Sequence, residues 1–460
     1  MHRVQIELPE VRQQPESGLK NYRIVRLTMI LHGLATEAFY RAGPARATLP
    51  YTQQREALID CGYLHFNGFA RCMCALGNDA HDIVCDVEPL QKTWAREHAA
   101  DIHMVLWQTE VALRQIEALR PDVLYFQDVV AFPDSLRRQL KQRFPFLKLI
   151  VVYKASSSDP TSLADADLIL LGTPKLVRDF AEYGLRGELI YHAFDDTLLK
   201  RLAPLPTPAA NYDITFLGSA GTGFGWSHRG RYWTLYELAR QTPLEMWIFD
   251  KREKRRDPTH SLGRRIRTQL RNPIKHFLRA CPPSILAGIA SNPRVSTKLR
   301  WVAEEVRAER QWTPPRTGPL PTADLTAFPV IPLTTFFPER THPPLFGPDM
   351  YQVLRASRLT FHQHGDQVGN SVGAVRMFEA TGAGAGLVTD TAPNLPDLFE
   401  PDREVVTYQS TTECVEKVRY LFAHEDKCRQ ITAAGHRRTL RDHTVEVRCQ
   451  QIHELISRAL

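Results

Sequence analysis

The stretch RLTFHQHGDQVGNSVGAVRMFEATGAGAGLVTD, residues 358–390, contains the pattern that decides the fold. Arg358–His362 and Gly386–Asp390 are short apolar runs, and Gly373–Thr381 between them has helical spacing. A strand, a loop, a helix and a second strand in this order are typical of a parallel sheet, because parallel neighbours need a crossover connection. The stretch therefore predicts an α/β fold.

The same alternation of apolar runs and helical stretches extends over the rest of the chain. In the first half the predicted strands are Arg23–Ile30, Asp82–Cys85, Pro121–Asp128, Leu147–Tyr153, Asp167–Gly172 and Glu188–His192. In the second half they are Asp213–Gly218, Leu244–Phe249, Arg358–His362, Gly386–Asp390 and Glu404–Tyr408. We therefore expect two doubly wound, Rossmann-like domains with a cleft between them. Ligands of such sheets bind at the carboxyl ends of the strands.

Changes in composition predict the domain boundaries. Residues 1–20 are a loose polar arm, 21–196 form the first domain, and 197–211 are a Pro-rich linker. Residues 212–440 form the second domain, which carries a basic and Pro-rich insertion at about 251–344. Residues 441–460 are expected to form a C-terminal helix that packs back toward the first domain.

Composition excludes several classes of protein. The 460 residues are 43% hydrophobic and 24% charged, which excludes a disordered chain, a collagen-like fibre and a disulfide scaffold. Lys and Arg number 58 against 51 Asp and Glu, and the resulting net charge of +7 is too small for a dedicated nucleic-acid binder. No apolar run approaches the roughly 20 residues of a membrane span. The eight cysteines lack paired spacing, so we expect free thiols and a cytoplasmic protein.

Much of the positive charge lies in one segment, Lys251–Arg279. It holds eleven Lys or Arg, with only Glu253 and Asp257 as acidic partners. The favoured interpretation is a solvated loop. The alternative is peripheral contact with anionic lipid at the inner membrane face, where each cation adds about 1 kcal/mol. Nucleic acid is a weaker alternative, because Phe277 is the segment's one aromatic residue for stacking bases.

The glycine-rich approach to the helix is the strongest local motif. Gly369–Gly373 would leave backbone N–H groups at a helix N-terminus, which suits a diphosphate. Glu379 lies about two turns into the helix, where a carboxylate can accept hydrogen bonds from ribose. The residues by themselves favour a helix start with an exposed Glu. Asp165-Ala-Asp167 precedes its strand, at the wrong end of the sheet, and a solvated turn is favoured there. His362-Gln-His364 has no third ligand, so we predict no metal site and no tightly bound cofactor.

Several segments resemble one family. They are Glu88–Glu97, Pro121–Asp128, His192–Asp195, Asp213–Ser219, Phe346–Tyr351, Arg376–Gly382, Leu387–Asp390, Leu398–Pro401 and Ala434–Thr444. From about Tyr22 to Leu460 the chain resembles the CgeB-like (spore-maturation-type) glycosyltransferases, relatives of glycosyl transferases group 1. The resemblance implies a GT-B fold and a nucleotide-diphosphate sugar as donor substrate.

The resemblance also implies roles for particular residues. Glu379 matches the second Glu of the E-x7-E motif, which binds the donor ribose. The first Glu falls at position 371, which is Ser here, so the contacts of the donor sugar and the stereochemistry stay open. Gly218 and Ser219, with Arg229 or Arg231, match the diphosphate loop, and Phe346 and Gly347 match the loop beside the base. The candidate donor-binding residues are Gly218, Ser219, Arg229, Arg231, Phe346, Gly347, His364, Ser371, Gly373, Arg376 and Glu379.

The sequence thus predicts a metal-independent, hexosyltransferase-type glycosyltransferase of bacterial polysaccharide or glycoconjugate biosynthesis. Its acceptor, a glycan, a lipid-linked molecule or a protein, is unidentified. An inverting reaction would need a general base from the first domain. His32, Asp128 and His192 are candidates by position only, and a structural role is favoured for each. The alternative is a non-catalytic GT-B-fold protein that binds a nucleotide, a sugar or an anionic polymer; Ser371 and the basic segment favour it.

Overall fold

Two parallel sheets, one in each half of the chain, organise the protein. The computed structural model describes residues 20–30, 33–64, 66–102, 107–127, 132, 134–155, 159–203, 212–221, 229–249, 277–278, 280–292, 295, 299–300, 303, 306–307, 331–365 and 369–460. The predicted α/β class with two parallel sheets is confirmed.

The first sheet has six strands in the order β2-β1-β3-β4-β5-β6. The strands are β1 (Arg23–Thr28), β2 (Asp79–Val84), β3 (Val123–Gln127), β4 (Leu149–Lys154), β5 (Leu168–Leu171) and β6 (Gly187–Leu189). The helices of this half are Gly33–Ala42, Tyr51–Asp60, Phe69–Ala75, Glu88–Glu97, Trp107–Leu119, Asp134–Arg143, Pro174–Ala181 and Thr197–Leu202. The chain reverses direction across the sheet between β1 and β3, which places a crevice at their carboxyl ends.

The second sheet has the order β12-β11-β10-β7-β8-β9. Its strands are β7 (Tyr212–Ser219), β8 (Leu244–Phe249), β9 (Thr341–His342), β10 (Ser357–His362), β11 (Gly386–Asp390) and β12 (Val406–Tyr408). The helices are Arg229–Gln241, Pro283–Ser291, Leu333–Phe336, Gly347–Arg355, Val375–Ala383, Leu395–Leu398, Thr411–Ala423, Glu425–Asp442 and Val445–Ala459. Here the direction reverses between β7 and β10, so the second crevice lies where these two strands end.

Burial on both faces explains why the strands are nearly continuous apolar runs. All five residues of β3 are buried. Leu124 and Phe126 lie in one core cluster, and Val123 and Tyr125 lie in another, because successive side chains point to opposite faces of the sheet. The first sheet is therefore covered on both sides.

The two halves are joined close to the carboxyl ends of the strands. Phe194 N donates to His443 O, and Val445 N donates to Phe194 O, both at 2.9 Å. The helix Val445–Ala459 then packs on the first half, where Cys449 and Ile452 share a core cluster with β1. The segment predicted as a linker, residues 197–211, begins with the helix Thr197–Leu202. The predicted domain boundaries stay predictions.

Candidate functional site

The candidate site lies where the glycine-rich loop of the second half meets the first half. Gly373 has φ +144°, which favours glycine, and a Cβ atom there would lie 3.0 Å from Tyr191 Cδ1 and 3.3 Å from Gly172 O. Asn394 fixes the loop by accepting from Val372 N (2.9 Å) and donating to Val372 O (2.8 Å). It also donates to Tyr191 Oη at 3.1 Å, which ties the loop to the first half.

The amides at the start of the helix are only partly available to a ligand. Gly373 N and Ala374 N donate to His364 Nε2, at 3.1 and 3.3 Å. The N–H groups of Val375 and Arg376 are the first two of the helix Val375–Ala383, and they have no partner among the described residues. Fewer amides at this helix N-terminus are therefore available to a ligand than the sequence indicates, because those of Gly373 and Ala374 already donate to His364.

Glu379 is buried, whereas the residues by themselves favour an exposed side chain at this position. Arg376 Nη1 lies 2.9 Å from Glu379 Oε2, and Tyr351 Oη donates to Glu379 Oε1 at 3.3 Å. Burial, and after it the charge of Glu379, raises the pKa of Tyr351 well above its ordinary value. Tyr351 therefore keeps its proton and stays a donor, and Glu379 is held by a cation and a phenol at the wall of the site.

Ser371 occupies the position of the first motif Glu. Its side chain is buried, and its Oγ has no hydrogen-bond partner in the part of the chain that the structure describes. A buried hydroxyl without a partner costs free energy, roughly 1–3 kcal/mol, unless something bonds to it. Ser371 is thus a polar atom that a ligand could satisfy.

Arg231 spans the crevice between β7 and β10. Its guanidinium donates to Gln363 O through Nε (2.8 Å) and Nη2, and to Ser219 O through Nη1 (3.3 Å). These bonds hold the ends of the two strands together. Gly218 and Ser219 lie at the end of β7 beside it, whereas the side chain of Arg229 lies outside the described residues. The diphosphate role of this loop stays a prediction.

Phe346 and Gly347 lie against the first half. Phe346 packs against an apolar cluster of the helices of residues 33–111, and a Cβ atom at Gly347 would lie 2.5 Å from Tyr63 Cε2. The helix Gly347–Arg355 that follows carries Tyr351 to Glu379. A contact of this loop with a nucleotide base stays a prediction.

Of the three candidate bases, His32 and Asp128 lie outside the described residues. His192 is buried, with its ring centroid 5.8 Å from that of Phe66 and 5.7 Å from that of Tyr153. An imidazole enclosed by two aromatic rings fits the structural role that the sequence favours, and its catalytic role stays untested.

Two motifs considered for metal binding are arranged differently. Asp165 pairs with Arg137 at 2.9 Å, and Asp167 pairs with Lys141 at 2.6 Å. His364 faces Asp390, and the ring of His362 lies 4.6 Å from that of His364. Within the described ranges, no three His, Cys, Asp or Glu side chains form a group that could hold a metal ion.

Sequence reasoning missed Tyr351, Asp390, Asn394 and Tyr191 as parts of this site. Tyr351 and Asp390 lie in segments that resemble the family, but no pattern links them to Glu379 or His364. Asn394 and Tyr191 are 203 residues apart, and a single sequence contains no signal that they meet.

A family model described as "Glycosyl transferase-like" matches residues 319–454, which include His364, Gly373 and Glu379. No curated protein matches the chain by sequence. Over the described part of the chain, no helix has the length and apolar character needed to cross a membrane.

Solved structures show the same fold at low identity. Anabaena HepE in complex with UDP-glucose is 13% identical, with a TM-score of 0.51, over 95% of this chain and 100% of that chain. Sucrose-phosphate synthase from Thermosynechococcus elongatus is 10% identical, with a TM-score of 0.50, over 95% and 98% of the two chains. A glycosyltransferase from Rickettsia africae is 8% identical, with a TM-score of 0.50, over the same shares. The fold is GT-B, as predicted.

Proposed function

We propose that the protein is a glycosyltransferase that moves a sugar from a nucleotide-diphosphate donor to an acceptor. The observation that carries the proposal is the buried Glu379, held by Arg376 and Tyr351 behind a helix N-terminus that faces the other half of a GT-B fold. Within the described residues, Glu379 Oε2 is paired with Arg376 but accepts no hydrogen bond, and the hydroxyl groups of a ribose are suitable donors to it.

The donor would lie along the helix Val375–Ala383. The amides of Val375 and Arg376, with the positive end of the helix dipole, would meet the diphosphate. Negative charge develops on the diphosphate as it leaves, and dipoles and cations fixed in advance stabilise that charge. Because HepE is crystallised with UDP-glucose, UDP-sugars are the first donors to test.

We keep three finer predictions as part of the proposal. The reaction is of the hexosyltransferase type and independent of metal, which EDTA in the assay would test. Ser371 offers a neutral hydroxyl where the related motif has a carboxylate, so the donor sugar is held by a single hydroxyl there. His32, Asp128 and His192 stay the candidates for a general base, each to be tested by substitution with Ala.

The acceptor side of the proposal concerns the basic segment Lys251–Arg279, of which only Phe277 and Leu278 lie in described residues. Phe277 is 68% exposed, and Ile285, on the helix that follows, is 50% exposed. Exposed apolar side chains next to many cations suit an anionic lipid surface. We therefore propose a cytoplasmic enzyme that reaches a lipid-linked acceptor by peripheral contact with the membrane.

A specific observation also favours binding without turnover, namely Ser371 in place of a motif Glu. The experiment that separates the two functions measures release of free nucleotide from UDP-, GDP- and dTDP-sugars, with and without a membrane-lipid extract as acceptor source. If the protein is an enzyme, we expect it to release free nucleotide from one of these sugar donors, and to release it more slowly in Glu379→Ala. Binding of a nucleotide with no release under any of these conditions would instead support the non-catalytic alternative.

A further inference from the structure

The side chain of His364 connects the ends of two strands with the glycine-rich loop. It follows β10, and its Nδ1 lies 2.9 Å from Oδ1 of Asp390, the last residue of β11. Its Nε2 receives the amide protons of Gly373 and Ala374, at 3.1 and 3.3 Å. One imidazole thus holds both residues that immediately precede the helix Val375–Ala383.

These contacts define the tautomer of the ring. An amide N–H can donate only to a ring nitrogen that carries no proton, so Nε2 is unprotonated. The proton is then on Nδ1, where it is donated to Asp390. The main-chain N–H of His364 also donates to the Asp390 carboxylate, at 3.1 and 3.3 Å to its two oxygens. Asp390 accepts from both groups and therefore favours this neutral tautomer.

Asp390 is suited to select the tautomer because it stays ionised. Burial by itself raises the pKa of this carboxyl, but the hydrogen bonds that it accepts from His364 outweigh that effect and leave the pKa below its ordinary value. A carboxylate has no proton to donate, so it cannot stabilise a ring that presents an unprotonated Nδ1. In the alternative tautomer, Nδ1 would carry no proton to donate to Asp390. The proton on Nε2 would point at the amide protons of Gly373 and Ala374.

We propose that His364 is a positioning residue for the donor phosphates, and that it acts only as the neutral tautomer that Asp390 selects. By taking the amides of Gly373 and Ala374, the ring orients the loop so that the next two amides, those of Val375 and Arg376, point at a ligand. This inference rests on the proposed function, since it assumes that these amides meet a diphosphate.

Three other titratable or charged side chains lie around the ring and its partner Asp390. The ring of His362 lies 4.6 Å from it, and Arg231 is bound to the carbonyl of the residue between the two histidines. Behind Asp390, the phenol of Tyr408 is buried, and its pKa is raised by that burial. A proton added to Nε2 would leave the amides of Gly373 and Ala374 without an acceptor. The neutral ring is therefore the form that holds the loop in place.

The test compares three substitutions with a matched control. His364→Gln keeps an acceptor near the position of Nε2, His364→Leu has none, and Asp390→Asn can donate as well as accept and so no longer selects the tautomer. The control is His81→Gln, because His81 also pairs with an aspartate, Asp79, at 2.8 Å, but in the first half of the chain. Circular dichroism and thermal unfolding show which variants fold.

Two readouts are needed, imidazole ¹⁵N chemical shifts and calorimetric titration with UDP. We expect the His364 signals, identified by their loss in His364→Gln, to show a protonated Nδ1 at pH 7.5 and a mixture of tautomers in Asp390→Asn. UDP affinity should fall at least about tenfold in His364→Leu and stay within about threefold of wild type in His364→Gln and His81→Gln.

The outcomes separate this inference from the proposed function. If wild type binds UDP and folded His364→Leu binds it equally well, the positioning role is wrong and the proposed function stands. If His364 is protonated on Nε2 in the neutral ring, the inference is wrong whatever the affinities are. If wild type binds none of UDP, GDP and dTDP, the proposed function fails, and the donor role of His364 fails with it.

Discussion

At the scale of single residues, Glu379 carries most of the functional argument. Its carboxylate is buried between Arg376 and Tyr351, so its charge is expensive to leave unpaired. We propose that the same carboxylate binds the donor ribose, as the matching Glu of the related motif does. A Glu on the exposed face of this helix would be neither buried between these partners nor placed to bind a ribose.

We predict that Glu379→Ala weakens nucleotide binding while the protein stays folded. The loss of one or two charge-assisted bonds to ribose should cost about 1.5–3 kcal/mol each, measured by calorimetric titration with the nucleotide that wild type binds most tightly. The matched control is Glu237→Ala, because Glu237 also pairs with an Arg three residues away, Arg240, at 2.8 Å. Equal nucleotide affinity in Glu379→Ala and the control would contradict the ribose assignment.

His443 predicts a pH dependence of stability. Its Nε2 donates to Leu398 O at 2.7 Å and its Nδ1 accepts from Arg448 at 2.8 Å, so the ring must be neutral. Burial first, and the charge of Arg448 second, lower the pKa of His443 from 6.5 to about 4. As pH falls below 6.5, His443 therefore binds a proton in the unfolded chain before it does so in the folded chain. The stabilisation is fully present above pH 6.5 and is lost as pH falls toward 4, by about 3 kcal/mol at most.

Urea unfolding at pH 7.5 and pH 5.0 tests this sign. We expect wild type to lose more free energy of unfolding between these pH values than His443→Gln, which has no titrating ring. His424→Gln is the control, because His424 is exposed and stacks only on Tyr420. The assignment fails if His443→Gln loses as much stability as wild type does.

Residues that act through a local motif could be predicted from the sequence, and residues that act through tertiary contacts could not. Glu379, Arg376 and Gly373 lie in one short motif whose spacing places them on one loop and helix. Tyr351 reaches Glu379 from a different helix, and Asp390 reaches His364 from a neighbouring strand. The burial of Glu379 follows from these tertiary partners, so the sequence favoured exposure.

At the scale of elements, the order of strands and helices was predictable because both faces of each sheet are buried. Buried parallel strands are short apolar runs that differ from the surrounding amphipathic helices. Details that depend on packing were not predictable. The helix predicted from Gly373 begins at Val375, since the two residues before it bond to His364.

The helix Glu425–Asp442 packs so closely at Gly435 that this position has no room for a side chain. A Cβ atom there would lie 2.2 Å from Glu404 O, a backbone atom that cannot rotate away. Although Ala favours a helix over Gly by about 1 kcal/mol, Gly435→Ala should lower stability by roughly 1–3 kcal/mol because the helix must move.

The control for this prediction is Gly288→Ala, in the helix Pro283–Ser291, where nothing lies within 4 Å of the added carbon. We expect the thermal unfolding midpoint to fall in Gly435→Ala and to stay level or rise in Gly288→Ala. A higher midpoint in both variants would mean that the close approach of the helix to Glu404 does not limit its packing.

At the scale of the whole molecule, the two halves of the GT-B fold contact each other beside the candidate site. The loop at Gly373 touches Tyr191 of the first half, and the chain returns to that half through the bridge between Phe194 and Thr444. The general fold was predictable from the repeated strand and helix pattern. The contacts between the halves were not, since they join residues hundreds of positions apart.

Membrane contact is a prediction at this scale, because it concerns how the whole protein meets its acceptor. We expect wild type to co-sediment with anionic vesicles at low salt, and less with neutral ones. Changing Arg255, Arg256, Arg264 and Arg265 to Ser should remove most of the difference, at about 1 kcal/mol per cation.

The matched control removes four exposed arginines elsewhere, Arg41, Arg186, Arg403 and Arg458, also by Ser. The total charge then changes equally in the two variants. If both variants lose binding alike, net charge explains the effect. If wild type sediments equally with both kinds of vesicle, the segment is a solvated loop.

The central claim is that a nucleotide diphosphate binds along the helix Val375–Ala383, and a crystal structure with the tightest binder among UDP, GDP and dTDP tests it most directly. We predict phosphate oxygens within hydrogen-bond distance of the Val375 and Arg376 amides, and ribose hydroxyls on the Glu379 carboxylate. A nucleotide bound elsewhere, with these amides and Glu379 making no contact to it, would contradict the claim.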